Sequence, residues 1–242
     1  MTTLPTSIQK LSNLPRKPYI QPANRGAYMD EDYFDSYPEQ TYVHEFETDV
    51  RKVVLIHHEL ALEGITRAEA EEVARLDLTD EGQRSVATWI ESQHDGYRRA
   101  AINLALVGLV ARFHHWLTHL ANRIRDKANQ TFEGSVAQEM YFLNSQLKDS
   151  PHRHSDFKKW VDVRDSVIHA DSKASWTFDG KPRCVEPRFV ISGDELNLTE
   201  DDLKEAFDNM LQAIGWYDHH VEKWVVAKYG PQIFIGGKPL YP

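Results

Sequence analysis

From Thr41 onward, apolar residues return every three or four positions: Tyr42, Phe46, Val50, Val53, Val54, Ile56 and Leu60. That spacing predicts an amphipathic helix, with Gly64 as its end. Thr66 and Glu69 stand at capping-box spacing and predict a short second helix. Thr79 and Asp80 open a long helical stretch that either runs to about Asp126 or breaks near Gly96. Within it, residues 100–110 are apolar around nearly the whole circumference, the pattern of a helix at the centre of a bundle. Ser135 starts another helix with Met140, Phe142, Leu143 and Leu147. Pro151 separates it from a helix over residues 155–171, with Phe157, Trp160, Val161, Val167 and Ile168 facing inward.

The period then changes. Residues 176–178, 188–192 and 195–198 read as short strands, punctuated by Asp179-Gly180 and Gly193-Asp194. Thr199 and Asp202 start a last amphipathic helix to about residue 228, and a Gly- and Pro-rich tail follows. The expected class is all-α: an up-and-down helical bundle over residues 41–242 with a small β-hairpin insertion. Residues 1–40 carry five prolines and no period, so they read as an extended or mobile arm. Its aromatic group, Tyr28, Tyr33, Phe34 and Tyr37, can dock onto the core. No internal repeat is present.

The 242 residues suit one domain with an appendage. The 41% hydrophobic and 27% charged content is that of a globular protein. A lone cysteine, Cys184, excludes a disulfide within the sequence and any cysteine-based zinc site; it reads as a small apolar residue on a strand. With 37 acidic and 28 basic residues, the net charge of −9 argues against a uniformly basic nucleic-acid-binding surface. The first twenty residues lack the apolar segment of a secretory signal, and the longest apolar run, residues 105–111, is far short of the roughly 20 needed for a span. The expectation is a cytoplasmic protein with no membrane partner.

Histidine is abundant, with 12 copies. His115 and His119 are four apart and share a helix face that can chelate an ion. Glu91 and His94 have the Glu-x-x-His spacing of di-iron bundles, but the second such pair that this chemistry needs is missing. No His-Glu-x-x-His, Gly-x-Gly-x-x-Gly, Gly-Lys-Ser/Thr or Gly-x-Ser-x-Gly occurs. The expectation is therefore no metal and no cofactor.

The segment from Trp160 to Asp171 is the most informative. Arg164 and His169 are five apart on a predicted helix, about 140° and 7.5 Å from one another, and flank one strip of its surface. Asp165 and His169 are four apart and share a face, where a carboxylate can orient the ring. Cleavage of RNA by its own 2′-hydroxyl needs these parts: a base for the hydroxyl proton and a fixed cation for the phosphate. The plainer reading is a surface ion network among Arg164, Asp165, His169 and Asp171.

Arg164-Asp165-Ser166-Val167-Ile168-His169 resembles the Arg-polar-x-x-x-His signature of the HEPN family. The surroundings are similar too: an apolar helix over residues 100–120 before the motif, a hairpin-like excursion after it, then the long helix from Thr199. The resemblance covers about residues 97–228. It departs from the family where Asp165 replaces the common asparagine, and where Phe113-His114-His115-Trp116 stands in place of a segment that often carries an acidic residue. The resemblance implies a homodimeric, metal-independent endoribonuclease, of a kind often found as toxins or in phage defence, with a neutralising or regulatory protein partner. It also admits a catalytically inactive module that binds protein or nucleic acid. Arg164, His169 and Asp165 are then the catalytic candidates. Arg98, Arg99, Arg112, His114 and His115 are the candidates for RNA contact.

Overall fold

Local capping chemistry sets three of the helix starts. The computed structural model describes residues 42–125, 134–191, 194–229, 233–235 and 238–240. The expectations for residues 1–40 lie outside them. Helix α1 (Tyr42–Asp49) passes through a π-helical segment (Val50–Leu55) into α2 (Ile56–Val73). Helix α3 (Glu81–Ile124) begins where Asp80 Oδ1 accepts the Gln83 amide at 2.9 Å. Helix α4 (Val136–Leu147) begins at Ser135, whose side chain and that of Gln138 satisfy each other's backbone amides. Helix α5 (His154–His169) follows, and α6 (Glu200–Tyr229) starts at Thr199, paired reciprocally with Asp202.

The class is all-α. Among the described residues three two-stranded antiparallel ribbons accompany the helices. Strands β1 (Ser175–Phe178) and β2 (Lys181–Cys184) pair in register Ser175↔Cys184 to Phe178↔Lys181. Strands β3 (Val190–Ile191) and β4 (Glu195–Leu196) form the second ribbon, and β5 (Ile233–Ile235) with β6 (Lys238–Leu240) the third.

The chain divides into two compact units. The first takes residues 49–110 and 159–207; the second takes residues 42–48, 111–158 and the described residues from 208 on. In the first, α2 and α3 run antiparallel, as the pairs Glu69–Arg98 and Glu72–His94 require. Its core holds Val54, Leu106, Leu109, Trp160, Val163 and Phe189, with the Trp160 and Phe189 rings 5.4 Å apart. Gly108 lets α3 approach the Val54 methyls, which would stand 3.3 Å from a Cβ there.

The second unit is built on Phe113, Leu117, Met140, Phe157, Met210 and Tyr217, all 2% exposed or less. Phe113 and Phe157 stack at 5.0 Å, and Tyr217 donates its hydroxyl to Asn144 Oδ1 at 2.7 Å. Each such large side chain contributes about 1.5–3 kcal/mol by leaving water. The amide of Val43, at the start of α1, donates to Asp218 Oδ2 at 3.3 Å. Burial pushes the Asp218 carboxyl up to about 7, against the pull of the Val43 amide and Arg123.

Several sequence expectations are corrected. Gly64 does not end a helix; α2 runs through it. A glycine there costs about 1 kcal/mol. That is outweighed by fixing contacts on both sides, His58 to Glu200 before it and Glu69 to Arg98 after it. The short helix at Thr66 is thus part of α2. Gly96 leaves α3 unbroken over 44 residues. The α5 helix ends at His169, two residues before the expected limit, because Asp171 and Ser172 both take positive φ, 49° and 64°. Ile168 is 54% exposed, and Leu104 is 65% exposed, so the apolar girdle of residues 100–110 is only partly buried. Residues 188–192 do not form one strand: a 3₁₀ turn (Pro187–Phe189) precedes the two-residue β3. Cys184 lies on a strand but is exposed. The β5–β6 ribbon in the tail was not expected. By length and composition α3 is apolar enough to cross a membrane; in this fold its residues Leu106, Leu109, Phe113, Leu117 and Leu120 are buried in protein.

Candidate nuclease site

The core stripe of α5 runs through Trp160, Val163 and Ser166, all fully buried. That phase turns Arg164, Asp165, Ile168 and His169 toward the outer side of the helix, since positions one or two away from a buried stripe point elsewhere. His169 and Ile168 are exposed, and Arg164 and Asp165 are half-buried.

Backbone geometry fixes the end of this helix. The Ser172 amide reaches back to the Ser166 carbonyl at 3.2 Å, and Ser166 Oγ donates to the Lys173 carbonyl at 2.6 Å. Asn103 Nδ2, from α3, donates to Ser172 Oγ at 3.4 Å. Two successive left-handed residues other than glycine are costly, and aspartate is among the residues that tolerate the conformation best. The strain is held directly beside His169.

The β1–β2 ribbon then folds back. Its turn, Asp179-Gly180, has φ of 50° and 70°, the two positive values that a tight two-residue hairpin demands. This brings the Phe178 ring to 5.2 Å from the His169 ring, at 42°. Among the described residues no hydrogen bond engages the His169 imidazole, and the residue is exposed.

The Asp165 carboxylate was expected beside His169. It is held instead by Arg164, whose Nε lies 2.9 Å from Asp165 Oδ1 and whose Nη2 binds the same oxygen. Asp165 therefore positions the guanidinium, and the imidazole is steadied by an aromatic ring. Phe178 and Ser166 were not singled out from the sequence. The Asp179-Gly180 turn signalled a hairpin, but not that it returns onto α5.

The expected RNA contacts are divided between the two units. Arg98 is tied to Glu69 and, at 2.8 Å, to Asp95; these pairings raise its pKa further and occupy its donors. Arg99 is half-buried and has no ion pair among the described residues. Both lie in the first unit with the motif, whereas Arg112, His114 and His115 belong to the second. Arg112 is half-buried. His114 Nε2 is bonded to the Gly134 carbonyl at 2.6 Å, a structural engagement that leaves its ring less free for a ligand. His115 is exposed and lies beside His119 with ring centroids 4.6 Å apart. Burial, with His115 adding repulsion, lowers the His119 pKa. His94 is buried, with Nε2 3.5 Å from Glu72 Oε2, while its sequence partner Glu91 is exposed. Among the described residues no group of three or more His, Cys, Asp and Glu side chains converges as a metal site would require.

No protein-family model, curated protein or solved structure matches this chain.

Proposed function

We propose that the protein is a metal-independent endoribonuclease of the HEPN type, acting as a homodimer and serving as a toxin or phage-defence effector. The observation that carries this reading is the exposed imidazole of His169 at the end of α5, about one and a half turns from a half-buried Arg164 that Asp165 holds. A nucleophile-activating base has to be reachable by substrate, and a phosphate-binding fork has to be held in place; Asp165 does the latter for Arg164.

In the proposed reaction His169 takes the proton of an RNA 2′-hydroxyl. The 2′-oxygen forms a bond to the adjacent phosphorus, and the bond from phosphorus to the 5′-oxygen breaks. The leaving oxygen takes a proton from the His169 imidazolium of a second copy, and the products are a 2′,3′-cyclic phosphate and a free 5′-hydroxyl. Arg164 offsets the charge that gathers on the non-bridging oxygens. What supports the dimer is an exposed apolar row on α3, Val86, Trp89, Tyr97 and Leu104, at 45–65% exposure. With it goes Ile168 beside the motif. Exposed apolar residues aligned along one helix suit a surface that meets a second copy.

The test is cleavage of a structured RNA panel. His169→Ala is expected to abolish cleavage with the circular dichroism unchanged, and cleavage by the wild type is expected to survive excess chelator. Equal cleavage by wild type and His169→Ala would remove His169 as the catalyst. The same apolar row also favours a second reading, an inactive protein-binding module. In that case expression of the wild type would be harmless, and light scattering would show a monomer until a partner protein is added.

A further inference from the structure

The described histidines differ in how their rings are held. His57, His58, His94, His114 and His220 each engage a ring nitrogen with a carbonyl or carboxylate of the protein. His115 and His119 do not: among the described residues neither ring makes a hydrogen bond. They are one helical turn apart on α3, both exposed, with centroids 4.6 Å apart and planes at 73°.

Their rings are nonetheless held. Trp116 packs its ring 5.6 Å from His115 and 5.4 Å from His119, and Tyr42 stacks 6.5 Å from His119. All four residues belong to the second unit. Arg123, four positions after His119 on the helix, lies over the Tyr42 ring and is paired with Glu222 at 2.8 Å. Two unengaged imidazoles, pre-positioned by aromatic packing on a rigid helix, lose little rotamer freedom on taking a shared ligand.

We propose that His115 and His119 form a bidentate imidazole site for a borderline divalent transition ion, Cu²⁺ ahead of Ni²⁺ and Zn²⁺. Imidazole nitrogens suit these ions, and at a given nitrogen site affinity peaks at copper. Two adjacent nitrogens fill neighbouring corners of the tetragonal geometry copper prefers, and water completes the shell. The outermost side of the site stays open, so it captures an ion without enclosing it. This inference does not rest on the nuclease reading, and its test uses no RNA.

The experiment titrates the untagged full-length protein with CuCl₂, and separately with ZnCl₂, in a non-coordinating buffer. It reads tryptophan fluorescence and the electron paramagnetic resonance of bound copper. Trp116, touching both rings, is the expected quenching reporter. One equivalent of Cu²⁺ is expected to bind saturably with nitrogen hyperfine structure, and Zn²⁺ more weakly. His115→Ala and His119→Ala are each expected to weaken binding by about tenfold or more, while His154→Ala leaves it unchanged. Both positions are exposed, and circular dichroism checks that the variants fold. Identical titrations of the wild type and the His115→Ala/His119→Ala double variant would overturn the proposal. So would copper bound without nitrogen hyperfine structure, or no saturable binding at all.

Discussion

One oxygen of Asp165 accepts both Nε and Nη2 of Arg164, its neighbour in the chain, and leaves the imidazole of His169 to Phe178. The pair is only partly shielded, with the two side chains 23% and 32% exposed. An ion pair of that kind contributes under about 1 kcal/mol. Asp165→Asn is therefore expected to melt within a degree or two of the wild type. Its effect falls on the ligand, because the carboxylate both positions the guanidinium and occupies two of its donors: cleavage should fall while binding tightens. Affinity for single-stranded RNA should rise a few-fold, and the log–log salt slope should steepen by up to about 0.7. Fluorescence anisotropy across a salt series measures both. An unchanged slope would mean that Arg164 does not meet the RNA backbone.

Glu139 is fully buried and joins Arg125, at 2.7 Å, to the Gly134 amide, at 2.9 Å. Removing the carboxylate leaves a poorly solvated cation and an amide without its acceptor. Glu139→Ala is expected to lose about 3–5 kcal/mol, and Glu139→Gln less, because the amide oxygen still accepts. Chemical denaturation of the two variants checks the order.

Two buried groups make stability depend on pH with opposite signs. Asp218 is raised to about 7 by burial, so its contribution is present below the unfolded value near 4 and is lost as pH rises through 7. His152 is lowered to about 4, also by burial, so its contribution is present above the unfolded value near 6.5 and is lost as pH falls through 4. In the wild type the two partly cancel between pH 4 and 7. Asp218→Asn removes one of them. Relative to the wild type it should gain about a few kcal/mol on going from pH 4 to pH 8. Melting curves at the two pH values test this; parallel behaviour would mean that Asp218 ionises as freely in the fold as outside it.

Gly180 sits at φ 70° with open space where a Cβ would go. Gly180→Ala therefore meets no clash and costs only the left-handed conformation, about 1–2 kcal/mol. The loss should be local to the ribbon: faster amide exchange across residues 175–184 and little change in global melting. If Phe178 steadies His169, cleavage should fall together with the protection of that ribbon.

The sequence carried the helix starts well because capping is local. Asp80, Ser135 and Thr199 each bond a residue three positions away. Helix ends were less legible. Gly64 and Gly96 have the chemistry of stops, yet long-range contacts keep both helices intact, and a preference of about 1 kcal/mol cannot be read against packing that lies far away in the chain. The placement of Arg164 and His169 on one helix followed from spacing alone. What Asp165 holds did not. Residues one and four positions away from it were both within reach, and a rotamer decides between them. Phe178 belongs to a ribbon whose return onto α5 depends on the end of that helix, a tertiary fact.

The amide of Val43 is answered by a carboxylate 175 positions later. On a ribosome adding about 5–20 residues per second, roughly ten to thirty seconds separate the emergence of α1 from that of its acceptor. Through that interval water stands in for Asp218. Anchoring of α1 thus waits on residue 218, and a chain cut short before it leaves the Val43 amide without its carboxylate.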